Sequence, residues 1–221
     1  MKTLKLKRDA FTMIEFIFVI IVIGILTSVG MSRLEKNNYQ DAADSILSDI
    51  RYTQHLALLD NKYNADDFLW QRAFWTIGFE KCTSTVGSNN YFEYIGSDTG
   101  YEGGIENIEA AKDPLNGKVM NWSNAECEDG GDEKTSSRIF LTHNYGIKDI
   151  AFTGSCSGSK YIGFDNLGRV YQGIRGIPYS ASIGYLKSTC TITFTLSDDK
   201  SFSIDIEPET GYAHIVDQNL S

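Results

Sequence analysis

The chain has 221 residues, 42% of them hydrophobic and 22% charged, which suits one main domain with a buried core and excludes a disordered acidic tail. Three prolines and 20 glycines exclude collagen-like and proline-rich classes. A formal net charge of −9 counts against broad nucleic-acid binding, because affinity for phosphate needs a basic surface.

The charges are segregated along the chain. Residues 1–34 carry Lys2, Lys5, Lys7, Arg8 and Arg33 against Asp9 and Glu15, a balance of +3 that leaves −12 for the rest. From Phe11 to Met31, 15 of 21 residues are apolar, and Glu15 is the only charge between Asp9 and Arg33. As a helix this stretch would be roughly 31 Å long and would match a bilayer core. The basic flank precedes it, so residues 1–10 are expected in the cytoplasm and the acidic bulk outside. That outline alone fits a cleaved secretory signal or a plain anchor equally well.

The junction Lys7-Arg8-Asp9-Ala10-Phe11-Thr12-Met13-Ile14-Glu15 adds something neither of those explains, a carboxylate at the start of an apolar helix. Such a group is costly and usually functional. The stretch resembles the class III signal of type IV pilins and type II secretion pseudopilins, with the cut between Ala10 and Phe11 and Glu15 at the fifth mature position. Most members have Gly before the cut, where this chain has Ala10. The resemblance implies cleavage by a prepilin peptidase, N-methylation of Phe11, and assembly with other pilins or pseudopilins into a hetero-oligomeric filament. It also implies a single-pass protein of the bacterial inner membrane with its head in the periplasm. Physically, the new ammonium on Phe11 could pair with Glu15 of a neighbouring helix, and the cost of an unpaired buried charge would set the register between subunits.

The helix is expected to continue past the apolar segment. Ala43, Ile46, Ile50, Thr53 and Ala57 recur at helical spacing, widened by Leu47 and Leu58, with Asp41, Asp44, Asp49 and Arg51 on other faces. A single helix from Phe11 to about Leu59 would be roughly 73 Å long. The organisation expected is a leader at 1–10, a transmembrane polymerisation helix at 11–31, an amphipathic continuation at 32–60 and a β-rich periplasmic head at 61–221. The fold class is α+β, a long N-terminal helix packed on an antiparallel head of two small sheets, pilin-like.

In the head, runs rich in Phe, Tyr, Ile and Thr alternate with Gly, Asn, Asp and Ser clusters. Expected strands are Phe74–Glu80, Tyr91–Ile95, Arg138–Thr142, Asp149–Thr153, Tyr161–Asp165, Arg169–Gln172, Thr189–Leu196, Ser201–Glu207 and Tyr212–Val216. Thr191, Thr193 and Thr195 alternate with Ile192, Phe194 and Leu196, as in a sheet with one wet face. Gly96–Glu133 is acidic and poorly periodic and reads as a long loop region.

Ile162-Gly163-Phe164-Asp165-Asn166-Leu167-Gly168-Arg169, followed by Ile192–Leu196 and by Ile204–Glu207 with Pro208-Glu209-Thr210-Gly211-Tyr212, is similar to the head of H-type minor pseudopilins. The resemblance implies a scaffolding role and a minor, tip-associated subunit. A secretion pseudopilus and a motility or competence pilus both remain open.

Cys82, Cys127, Cys156 and Cys190 contain no C-x-x-C pair, which argues against zinc and thioredoxin-like chemistry and for two disulfides in an oxidising compartment. Of three connectivities, Cys82–Cys127 with Cys156–Cys190 is preferred, since the second pair would tie neighbouring strands. Gly154-Ser155-Cys156-Ser157-Gly158 mimics a nucleophile elbow but lacks the following helix. His55, His143 and His214 are isolated, and Asp129, Asp132 and Glu133 lack the EF-hand register. No catalytic residue, metal or cofactor is expected, and the protein does not read as an enzyme. Lys160, Arg169, Arg175 and Lys187 form a locally basic group in an acidic head. DNA capture through that group, as in some competence-associated minor pilins, is the alternative function, opposed by the surrounding negative field.

Overall fold

The computed structural model describes residues 13–33, 38–82, 89–122, 127, 131–175 and 184–216. The chain divides into two units, Met1–Asn37 and Asn38–Ser221.

The first unit contains helix α1, Met13–Arg33. Every described side chain from Met13 to Ile25 is exposed, including Phe16, Phe18 and Ile25. Among the described residues no helix is long and apolar enough to cross a membrane. The run with described side chains, Met13–Ile25, is 13 residues, about 20 Å at 1.5 Å per residue against a hydrocarbon core of about 30 Å. This overturns the expected transmembrane span at 11–31 and with it the single-pass placement in the inner membrane.

The second unit opens with α2, Asn38–Leu59. The expected continuous helix packed on a sheet is also corrected. Two helices stand in its place, in different units, and the core is built by two four-stranded antiparallel sheets. The physical reason lies in the side chains. The described part of α1 is apolar on every side apart from Glu15, whereas α2 carries one buried stripe of Ala42, Ala43, Ile46, Leu47, Ile50, Thr53 and Ala57. A striped helix can be covered by a sheet, and a uniformly apolar one cannot be covered on one side.

The first sheet runs in the order β2-β1-β4-β5, with β1 Trp75–Lys81, β2 Tyr91–Ser97, β4 Tyr161–Phe164 and β5 Val170–Tyr171. Ile77 is its centre, facing Ile95 on one side and Ile162 on the other. The second sheet runs β3-β6-β7-β8, with β3 Ile147–Gly154, β6 Cys190–Leu196, β7 Ser201–Ile206 and β8 Ala213–Ile215. Period-two alternation sets its register. Ile192, Phe194 and Leu196 are buried, while Thr191 and Thr193 hydrogen-bond across the outer face to Asp205 and Ser203. Phe79 of β1 meets Phe194 of β6 edge to face at 5.2 Å, joining the two inner faces.

Arg138–Thr142 is not a strand. Ser137–Ile139 form a 3-10 turn and Leu141–Tyr145 form α3. Ile139, Phe140 and Leu141 are all buried in succession, and the Phe140 and Thr142 carbonyls accept locally from the Asn144 and Gly146 amides, so helical bonding replaces a strand ladder. Between β2 and the 3-10 turn the described residues make only isolated bridges, Gly96 with Ala110, Lys112 with Val119 and Val119 with Thr135. The loop is ordered by carboxylates instead: Asp98 accepts the Glu102 and Gly103 amides, and Glu109 accepts those of Gly100 and Glu106.

Candidate functional site

The first candidate site is α1. Glu15 occupies its first turn, where the N-terminal end of the helix dipole favours a carboxylate. Phe16 is 63% and Phe18 68% exposed, so the described face is a surface that other apolar groups must cover. Ala10 and Phe11, expected to flank a cleavage site, lie outside the described residues.

The second candidate is the braced end of the head, where two turns meet under α2. The buried Asp165 carboxylate builds the β4–β5 hairpin, accepting the Leu167 and Arg169 amides, Arg169 Nε and the Tyr171 hydroxyl. Burial, then the Asp165 charge, pushes the Tyr171 phenol up to about 12. The turn Pro208–Gly211 comes up against this hairpin: Val170 N–H donates to the Pro208 carbonyl. Gly168 and Gly211 both have positive φ, +82° and +62°. A Cβ on Gly211 would lie 2.3 Å from the Gly168 carbonyl oxygen, so neither a side chain nor the alternative backbone fits. Gln54 of α2 closes the junction, donating to the Thr210 carbonyl at 2.6 Å and reaching that of Gly168 at 3.4 Å. Helix and both sheets are tied at one point.

The disulfides brace the same unit. Cys82 is bonded to Cys127 and Cys156 to Cys190, with Cα separations of 6.0 and 5.2 Å. The second pair closes the turn after β3 onto the first residue of β6. Cys156 is therefore not a nucleophile, and turn, not helix, follows it.

The four basic residues divide into two places. Arg169 is ion-paired with Asp165 at 2.6 Å, and its guanidinium shares the Tyr185 ring with Lys187. Arg175 is buried between the rings of Tyr161 and Tyr94 and donates to the Tyr94 hydroxyl. Arg175 and exposed Lys160 line one cleft of about 570 Å³ that also contains Glu80. Of the four cations Arg175 is buried in the fold, and Arg169 is half-buried and ion-paired. A neighbouring cleft of about 410 Å³ is floored by Phe79, Ile150 and Phe152 and rimmed by Glu80, Lys81, Lys160 and Ser159, whose hydroxyl donates to the Tyr161 carbonyl. His55 and His143 are exposed. Among the described residues no cluster of His, Cys, Asp or Glu could hold a metal ion; Asp132 caps the Lys134 and Thr135 amides, and Asp129 lies outside the described residues.

One site was not anticipated. Asp49 of α2, expected on a polar face, is only 1% exposed, as are Glu93 of β2 and Asp113 of the loop. Arg138 of the 3-10 turn is paired with Asp49 and stands 3.7 Å from Asp113. Asp113 also accepts from Ser136 at 2.5 Å, from Asn116 and from the Leu115 amide. Burial pushes the Glu93 carboxyl well above the usual carboxylate range, and the Asp49 charge adds to this. Burial raises Asp49 as well, opposed by its hydrogen bond from Glu93 and by Arg138. The sequence signal was present in the spacing: Asp49 lies three residues after Ile46 and four before Thr53, on the stripe itself.

Comparison with protein-family models, with curated proteins and with solved structures gives no match.

Proposed function

We propose that the protein is a structural subunit of a pilin-like filament, a minor pseudopilin or minor pilin, and not an enzyme. On this reading a prepilin peptidase removes residues 1–10, and the mature chain assembles through α1 with other pilins or pseudopilins. The observation that carries it is α1 itself: all described side chains are exposed and apolar except Glu15 in the first turn. Such a surface is satisfied by helices of neighbouring subunits, and one acid within it fixes their register by pairing with a partner's free amino terminus. Further support comes from the two disulfides, which suit an oxidising compartment such as the periplasm or the exterior. The braced head offers rigidity rather than a reactive constellation.

The test is incorporation into filaments in the native host. Glu15→Ala is expected to accumulate and be processed normally yet enter sheared filament fractions poorly, whereas incorporation equal to the wild type would remove Glu15 from the assembly mechanism.

A further inference from the structure

The buried acid cluster under α2 has a proton count that its geometry constrains. Asp49 Oδ2 and Glu93 Oε2 are both fully buried and neither has a hydrogen-bond partner, although the two carboxyl groups lie within interacting reach of each other. Ionised carboxylates only accept hydrogen bonds, so two of them in contact cannot satisfy each other. One proton between them gives each oxygen a partner. We infer that Asp49 and Glu93 share a single proton at neutral pH, carried by Glu93, and that this proton is the latch between α2 and β2, opened by alkaline pH.

The surroundings decide which group holds it. Asp49 touches the Arg138 guanidinium directly, so the negative charge belongs there. Asp113 of the loop faces the same guanidinium, Tyr52 lies farther along α2, and Tyr145 of α3 is within electrostatic range of both Asp49 and Glu93. With Glu93 neutral, two carboxylates face one guanidinium. Loss of its proton makes three against one around a guanidinium, with all three carboxylates 1% exposed, a like-charge load that weakens the contact of Asp49 on α2 with Glu93 on β2.

The sign follows from linkage. An unfolded Glu titrates near about 4.3. In the folded chain its proton is held to a higher pH, so between those two values the native state carries one extra proton. Stability is therefore complete below the unfolded value and falls as pH rises toward the folded one. One proton corresponds to an unfolding constant that grows about tenfold per pH unit across that window.

The experiment compares pH profiles of chemical unfolding for the full chain and its Glu93→Gln variant between about pH 5 and about pH 9. Gln keeps a donor for Asp49 but cannot ionise. The difference between the two curves is expected to approach tenfold per pH unit, with the variant the less pH-dependent; parallel curves would overturn the inference. Infrared spectroscopy of the wild type, with isotope-labelled glutamate, supplies an arm that needs no variant to fold. A protonated carboxyl band from glutamate at neutral pH is expected, and its absence would contradict the latch. Asp49→Asn removes the adjacent charge and should close the window at lower pH, and an unchanged window would show that Asp49 is not the partner.

Discussion

Gly211 presses on the backbone of Gly168: a Cβ at position 211 would stand 2.3 Å from the Gly168 carbonyl oxygen and 2.5 Å from Gln54 Nε2. These two turns belong to different sheets, so their contact is what holds the β4–β5 hairpin to the β7–β8 connection. Gly211→Ala is expected to cost about 2 kcal/mol or more, from positive φ and backbone overlap together. Gln54→Ala should cost about 1 kcal/mol, because it removes a donor without inserting an atom. Denaturant midpoints of the two variants check the order, and a milder effect for Gly211→Ala than for Gln54→Ala would refute the close-approach account.

The Cys156–Cys190 bond spans 34 residues of sequence and joins the end of β3 to β6. Replacing both cysteines by serine is expected to lower stability by about 2–5 kcal/mol, as for other small disulfide-braced domains. Mass spectrometry of the native protein should find all four cysteines oxidised. Alkylation of four thiols without reduction would contradict the assignment.

Arg138 is the only cation paired with Asp49 among the described residues, and it faces Asp113 as well. Arg138→Met is therefore expected to be costly, about 3–5 kcal/mol, since it strands buried carboxylates. Lowering the pH should restore part of that loss, because protonation discharges the acids left behind. An Arg138→Met protein that gains nothing on acidification would show that the cluster is not electrostatically coupled.

Basic residues in the head should contribute little to nucleic-acid binding. Arg175 is buried between two tyrosines and Arg169 is ion-paired with Asp165, which neutralises part of the basic group. Arg175→Ala is expected to unsettle the Tyr94–Tyr161 packing and lower the thermal midpoint. Salt-dependent DNA binding by the wild type, abolished by Lys160→Glu with Lys187→Glu, would instead favour the DNA-capturing alternative.

Strand positions were legible wherever one face is wet. Thr191–Leu196 alternates because its threonines meet Asp205 and Ser203 at the surface while Ile192 and Phe194 enter the core. Arg138–Thr142 was misread because three successive buried residues give no period to distinguish strand from short helix. The single long helix failed for another reason. A polar run at 32–41 separates the apolar segment from the stripe of α2, but no proline stands before Pro114 to mark a helix break, and the uniform surface and the stripe take different neighbours. Burial of Asp49 was hidden by its residue type. A carboxylate on an apolar stripe is tolerated only with partners, and Glu93 and Arg138 lie 44 and 89 positions away in sequence. Gly211 is legible in Pro208-Glu209-Thr210-Gly211 and Gly168 in Asn166-Leu167-Gly168, whereas their mutual contact needs the third dimension.

Assembly through α1 requires a chain from which residues 1–10 have been removed. N-terminal sequencing of the mature protein from its native host tests this most directly. A chain beginning at Phe11 is expected, with or without a methyl group on its amino terminus. A mature chain that still begins at Met1, or one that begins near Met31 and so lacks Glu15 and the apolar helix face, would contradict it.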